Sequence, residues 1–261
     1  MTPDQIDRAA TLLAHARLTK SGIPPLPEQC QPKTLDDGYA IQDAVAARVG
    51  IPVGGWKVGL TSPAAQKRRS VQHPITGRVY LPTIFQEKVE IKGKPPMLCL
   101  EGELAFKLGS DLPARAAPYT HDDIDQAIES MFPAFEICVS HYTDWAAQHV
   151  ASIIADNSAS IGLVIGKPIL GWRDLDLSAI PVRIRVDGEE LCKGSGAEVM
   201  GGDPLASIVF LANLRSARGD GLRKGQIVTT GTMHGAPVVR TDAHCEADFG
   251  AYGTLSFHFT D

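Results

Sequence analysis

Between Leu98 and Leu108 the chain alternates regularly enough to define a strand and both of its faces. Successive residues of a strand point to opposite sides. Leu98, Leu100, Leu104, Phe106 and Leu108 therefore share one face with Gly102, while Cys99, Glu101, Glu103, Ala105 and Lys107 share the other. The leucine-rich face is core. The opposite face borders a cavity or solvent and carries two carboxylates side by side, with Gly102 leaving the far side uncrowded between them. Two like charges that close raise each other's pKa unless a cation sits between them.

The elements around this strand alternate irregularly between helix and sheet. Residues 4–18 carry a helical stripe of Ile6, Ala9, Leu12, Leu13 and Ala16, and Thr34 with Asp37 marks the start of a second helix running to Val49. Thr120 and Asp123 cap a helix expected over 121–131, and Asp203-Pro204 opens another through about Ala217. Apolar runs at 135–139 and 161–165 read as buried strands. Asp187-Gly188 between Val182–Val186 and Leu191 is a hairpin signal. Strands at about 226–230 and 253–259 complete an α+β arrangement rather than a βαβ repeat, with a helical N-terminal region expected over 1–75 and a β-rich catalytic region over 76–261.

Composition narrows the class. With 25 Lys+Arg against 30 Asp+Glu, the formal charge of −5 leaves no basic face for nucleic acid. No apolar stretch reaches the roughly 18 residues of a membrane span, and Met1-Thr2-Pro3-Asp4 lacks the basic start of a secretory leader. The five cysteines, Cys30, Cys99, Cys138, Cys192 and Cys245, are scattered, odd in number and without a CxxC pair. A reducing cytoplasm is the compartment expected for them.

Glu101 and Glu103 suit a solvated strand face, and equally a hard divalent cation such as Mg²⁺ held by carboxylate oxygens. Glu136 tilts the choice toward the metal. It interrupts the apolar segment Phe132-Pro133-Ala134-Phe135-Glu136-Ile137-Cys138-Val139, where an unpaired carboxylate is costly. Lys57, in Trp56-Lys57-Val58-Gly59-Leu60-Thr61-Ser62, either snorkels to solvent or points into the carboxylate cavity. Asp156-Asn157-Ser158 is a polar knot with the composition of a turn. His141 and His149, eight apart, could share a helical face but lack further ligands for zinc, and His244-Cys245 reads as a strand-edge pair. Nucleophile-elbow, P-loop and dinucleotide fingerprints are absent.

Taken in order, Trp56–Ser62, Leu100-Glu101-Gly102-Glu103-Leu104-Ala105-Phe106, Phe135-Glu136-Ile137, Ile154-Ala155-Asp156-Asn157 and Gly194-Ser195-Gly196-Ala197 resemble the 2-keto-4-pentenoate hydratase and 4-oxalocrotonate decarboxylase family of the fumarylacetoacetate hydrolase superfamily. The resemblance implies a mixed β-sheet roll of that superfamily's C-terminal-domain type, with a small helical N-terminal region, assembled as a homo-oligomer and able to associate with a pathway enzyme. It implies that Glu101, Glu103 and Glu136 bind Mg²⁺ or Mn²⁺, that Lys57 is the cationic partner of the enolate, and that Asp156 orients Lys57. Ser158 or Ser160 would hydrogen-bond a small 2-oxo acid substrate. The implied reaction is hydration of a 2-hydroxy-2,4-dienoate to a 4-hydroxy-2-oxo acid in aromatic meta-cleavage. The alternatives are decarboxylation of 2-oxo-3-hexenedioate, acylpyruvate-type C–C hydrolysis, or a non-catalytic partner subunit. One departure stands out: where family members carry Val-Asp-Gln-Pro-Asp-Phe-Gly, this chain has Val71-Gln72-His73-Pro74-Ile75-Thr76-Gly77 with both acids gone, so that either His73 substitutes for a lost acid or the activity has changed.

Overall fold

The structure is a computed structural model and describes residues 1–260. Helices are α1 (Pro3–Thr19), α2 (Leu35–Val49), α3 (Pro63–Arg68), α4 (His121–Ala127), α5 (Val150–Ala155) and α6 (Pro204–Ala217). Strands are β1 (Val53–Gly59), β2 (Ile75–Tyr80), β3 (Ile84–Gln86), β4 (Lys88–Lys92), β5 (Met97–Leu108), β6 (Ile128–Ser140), β7 (Ser160–Ile165), β8 (Pro181–Val186), β9 (Glu189–Ser195), β10 (Ile227–Thr229), β11 (Val238–Val239), β12 (His244–Asp248) and β13 (Thr254–Thr260).

Two mixed sheets form the body. The larger runs β2-β1-β10-β5-β6-β7-β3, with β11 also pairing β5, and the smaller runs β4-β13-β12-β8-β9. The expected core face of β5 packs between them: Leu98, Leu100, Leu104, Phe106 and Leu108 are fully buried with Val182, Ile184, Leu255 and Phe257 of the smaller sheet. At roughly 1.5–3 kcal/mol for each large apolar side chain removed from water, these five residues contribute on the order of 10 kcal/mol before chain entropy is counted. Gly102 sits in the middle of that face for a reason opposite to the one expected. A Cβ there would lie 2.7 Å from Val182 Cγ2, so the far side is crowded and only glycine lets the sheets close.

The N-terminal helices pack on each other and on α5 through Ala9, Leu13, Ile41, Val45, Tyr142 and Ala155. Reciprocal bonds between Thr34 and Asp37 cap α2, as the sequence predicts. The Met1 ammonium reaches the same carboxylate, and these partners hold the Asp37 pKa down at about 2. The helical region also delivers β1, which lies between β2 and β10 in the larger sheet, so residues 53–59 belong structurally to the β body.

Three local expectations are corrected. The helix expected over 121–131 stops at Ala127, and β6 begins at Ile128. From Ile128 onward the backbone pairs with β5, so its N–H and C=O groups are satisfied by the sheet rather than by a further helical turn. His141 lies in no helix: it follows β6, while His149 immediately precedes α5 and makes no side-chain cap bond, so the two share no helical face. His244-Cys245 lies in β12, between β13 and β8, and is therefore inside its sheet rather than at its edge.

Candidate metal-centred active site

The acidic face of β5 meets its counterpart on β6. Register places Glu101 opposite Glu136 and Cys99 opposite Cys138, and β1 brings Lys57 onto the same side. The Lys57 Nζ lies 3.6 Å from Glu101 Oε2 and 3.6 Å from Glu136 Oε1, and its side chain is 4% exposed. It does not snorkel. Burial acts to lower the Lys57 pKa, but the surrounding charges, Glu136 foremost, outweigh it and raise the ammonium above the usual lysine range.

Glu103 and Glu136 are fully buried. One Glu103 oxygen accepts from the Gly231 N–H at 2.8 Å, while its other oxygen and both oxygens of Glu136 have no hydrogen-bond partner. Gly231 is required for that approach. It holds φ at +101°, and a Cβ there would fall 2.2 Å from Thr61 Oγ1. Burial first, then the neighbouring carboxylates, raises the pKa of Glu103; burial also raises Glu136, against the pull of Lys57. With all three acids ionised, three negative charges face one ammonium, and the remaining −2 is what a single divalent cation cancels. The orphaned, buried oxygens fit such a cation. The atoms that converge most closely are one oxygen each of Glu101 and Glu136 and the Cys138 thiol, all within 4.8 Å of one another. Glu103 flanks this group.

Above it opens a cavity of about 550 Å³ whose walls include Lys57, Glu101, Leu60, Ile75, Trp145, Leu191, Asp156 and Ser158. Asp156 does not meet Lys57 through any ion pair or hydrogen bond. It accepts instead from the His141 backbone N–H at 2.8 Å and from His141 Nδ1 at 2.6 Å. Beside it, Asn157, Ser158 and Ala159 all adopt positive φ, from 53° to 64°, a conformation costing about 1–2 kcal/mol per non-glycine residue. The Asn157 amide holds this turn by accepting from the Arg78 N–H and donating to the carbonyls of Arg78 and Ser160. The Ser158 hydroxyl donates to Thr76 O at 2.7 Å, so its proton is committed. Ser160 is buried off the cavity wall, with its hydroxyl unpartnered. His73 is exposed and lies outside the cavity lining.

His234, in the segment joining β10 to β11, locks β5 at Gly102. Its Nε2 accepts from the Gly102 N–H at 2.9 Å, leaving the ring hydrogen on Nδ1, which meets the Gly235 carbonyl. Burial lowers the His234 pKa below its ordinary value. Cys138 could have been found from spacing alone, being two residues beyond Glu136 on one strand. His141 could not, because its partner arrives from a different element.

Residues 66–260 match the family model of the fumarylacetoacetate (FAA) hydrolase C-terminal domain. The chain belongs to the fumarylacetoacetate hydrolase family. Among relatives of this family member, a 2-keto-4-pentenoate hydratase of Paraburkholderia xenovorans (strain LB400) is 32% identical over 99% of this chain and 96% of its own length. A 2-hydroxyhexa-2,4-dienoate hydratase of Comamonas testosteroni is 29% identical over 92% and 91% of the two chains. The solved 4-oxalocrotonate decarboxylase from Pseudomonas putida G7, complexed with magnesium and adipate, shares the fold at a TM-score of 0.88 with 24% identity, over 100% of this chain and 99% of that one. No helix among the described residues is long and apolar enough to cross a membrane.

Proposed function

We propose that this family member is a divalent-metal-dependent hydratase that adds water to a 2-hydroxy-2,4-dienoate and yields a 4-hydroxy-2-oxo acid. The observation that carries the reading is the buried Lys57 set between Glu101 and Glu136, with three orphaned carboxylate oxygens, on the floor of a largely apolar cavity. Glu101, Glu103 and Glu136 would hold Mg²⁺ or Mn²⁺, which supplies an electron sink for the 2-oxo acid. The relatives named as hydratases of 2-keto-4-pentenoate and 2-hydroxyhexa-2,4-dienoate support this substrate class.

The chain's own groups then divide the work. Lys57, kept cationic by its acids, faces the enolate oxygen and can donate a proton. Asp156, held by His141 and free of Lys57, is the wall carboxylate able to take a proton from the attacking water. Leu60, Ile75 and Trp145 keep bulk water from the conjugated chain.

A competing reading, decarboxylation of 2-oxo-3-hexenedioate, is favoured by Arg68 and Arg69. Both line the cavity, and neither has an ion-pair partner among the described residues. A decarboxylase must hold the second carboxylate of its substrate, and of the basic cluster Lys67, Arg68, Arg69 and Arg78, Lys67 is exposed outside the lining and Arg78 is committed to Asp43 at 2.5 Å and stacked on Trp56, so that role falls to the two cavity arginines. The purified chain, alone with Mg²⁺, is offered 2-hydroxypenta-2,4-dienoate and 2-oxohex-3-enedioate while dienol absorbance and CO2 are followed. Hydration without CO2 supports the hydratase, and CO2 release supports the decarboxylase. Silence on both refutes these two enzymes and leaves the acylpyruvate-type hydrolase and the partner-subunit alternatives. Glu103→Gln is expected to abolish turnover with the fold intact.

A further inference from the structure

The donor set at the floor of the cavity contains sulfur. Glu136 and Cys138 lie two apart on β6 and so share a face, and Cys138 is directly opposite Cys99 across the β5 pairing. The Cys138 Sγ sits 3.3 Å from Glu101 Oε2, and one oxygen each of Glu101 and Glu136 completes a triangle no wider than 4.8 Å. An independent observation points to a ligand there: Glu136 is fully buried, and neither of its oxygens has a hydrogen-bond partner. Glu103, by contrast, has one oxygen tied to Gly231.

Carboxylate-only sets suit Mg²⁺, Ca²⁺ and Mn²⁺, whereas a thiolate adds affinity for softer cations and discriminates strongly among divalent metals. We propose that Cys138 is a ligand, and that with Glu101 and Glu136 it makes this site bind a borderline-soft divalent cation of the Zn²⁺ or Co²⁺ class in preference to Mg²⁺. Binding forms one metal–sulfur bond and breaks the S–H bond, with the proton released to solvent and no change of oxidation state. A softer cation seated this way occupies the position assigned to the hard one and competes with it.

The inference rests on the divalent-metal reading of the site, and the two fail differently. Metal-free protein is titrated with Co²⁺, following the near-ultraviolet sulfur-to-cobalt charge-transfer band, and with Zn²⁺ and Mg²⁺ by calorimetry. The expected result is a Co²⁺ band that persists in Cys99→Ser and is lost in Cys138→Ser. Zn²⁺ affinity should fall about tenfold or more in Cys138→Ser, with the Mg²⁺ affinity changing far less. Cobalt bound by the wild-type chain without the band overturns the thiolate ligand and leaves the carboxylate site standing. Absence of binding by any of the three cations overturns both. If Cys138→Ser fails to fold, a wild-type band that persists in Cys99→Ser still decides, and Cys138→Ala gives an additional test of the ligand assignment.

Discussion

Replacing Glu136 by Gln separates what the site costs the fold from what it gives the chemistry. The two side chains have nearly the same shape, so the packing of this position beside Leu163 on β7 is preserved and the change is electrostatic. With both groups ionised, the Lys57–Glu136 pair at 3.6 Å is worth about 4.6 kcal/mol at an effective dielectric constant of 20. Repulsion between Glu101 and Glu136 oxygens, no more than 4.8 Å apart, returns about 3.5 kcal/mol or more. The net Coulomb loss is therefore only about 1 kcal/mol, because the repulsion from Glu101 is relieved as the attraction to Lys57 is lost. Against it stands release from burying a carboxylate with no hydrogen bond, a penalty of several kcal/mol. The metal-free variant is thus expected to be more stable than wild type by about 1–3 kcal/mol. Metal should reverse the order. At a hundredfold excess over Kd, a cation stabilises the wild type by about 2.7 kcal/mol, roughly 5–10 °C in Tm for a chain of this size, and this shift should be lost in Glu136→Gln. Thermal melts of both proteins, with EDTA and with Mg²⁺, make the measurement. A metal-free variant several kcal/mol less stable than wild type, or one that keeps the full Mg²⁺ shift, would refute the reasoning.

Three other outcomes are expected. Phe135→Ala removes a fully buried ring that packs 4.9 Å from Phe257 between the sheets, and should cost about 3–5 kcal/mol in urea unfolding with little change in the slope. His234 is held neutral, with a folded pKa below the ordinary 6.5. Its contribution is therefore complete above that value and lost as pH falls below it, because the unfolded chain takes up the proton first. Urea midpoints between pH 8 and 5 should fall more steeply for wild type than for His234→Gln; parallel profiles would contradict this. Asp156→Asn should lower kcat while leaving the calorimetric Mg²⁺ affinity near wild type, since Asp156 bonds His141 and not the Lys57 cluster; a matching loss of Mg²⁺ affinity would place it in the cation site instead.

Much of the site is legible because a strand has a fixed period. Glu101 and Glu103 are neighbours on one face wherever β5 is placed, and the same arithmetic applied to β6 unites Glu136 with Cys138. A carboxylate inside an apolar run likewise announces a buried charge before any fold is known. Local signals also mark the helix starts at Thr34, Thr120 and Asp203, whose caps bond as their spacing predicts. The stop of α4 carries no such local signal, because it is set by pairing with β5.

Pairings between elements were decided only by tertiary structure. Lys57 could snorkel or turn inward until β1 was set between β2 and β10, which aims it at Glu101 and Glu136. Asp156 looked like a partner for that lysine, yet its bond goes to His141, fifteen residues earlier and on another element. His73 looked like a replacement acid and is exposed, whereas Arg68 and Arg69 reach the cavity through a six-residue helix no periodicity could orient. Gly102 shows the division in one position. Its place between two acids is written in the sequence, while its necessity comes from Val182, eighty residues away, pressing on the strand from the other sheet. Local sequence sets which face a side chain takes. What waits on the other side of that face is set by packing over long sequence separations, and here that packing determines the chemistry.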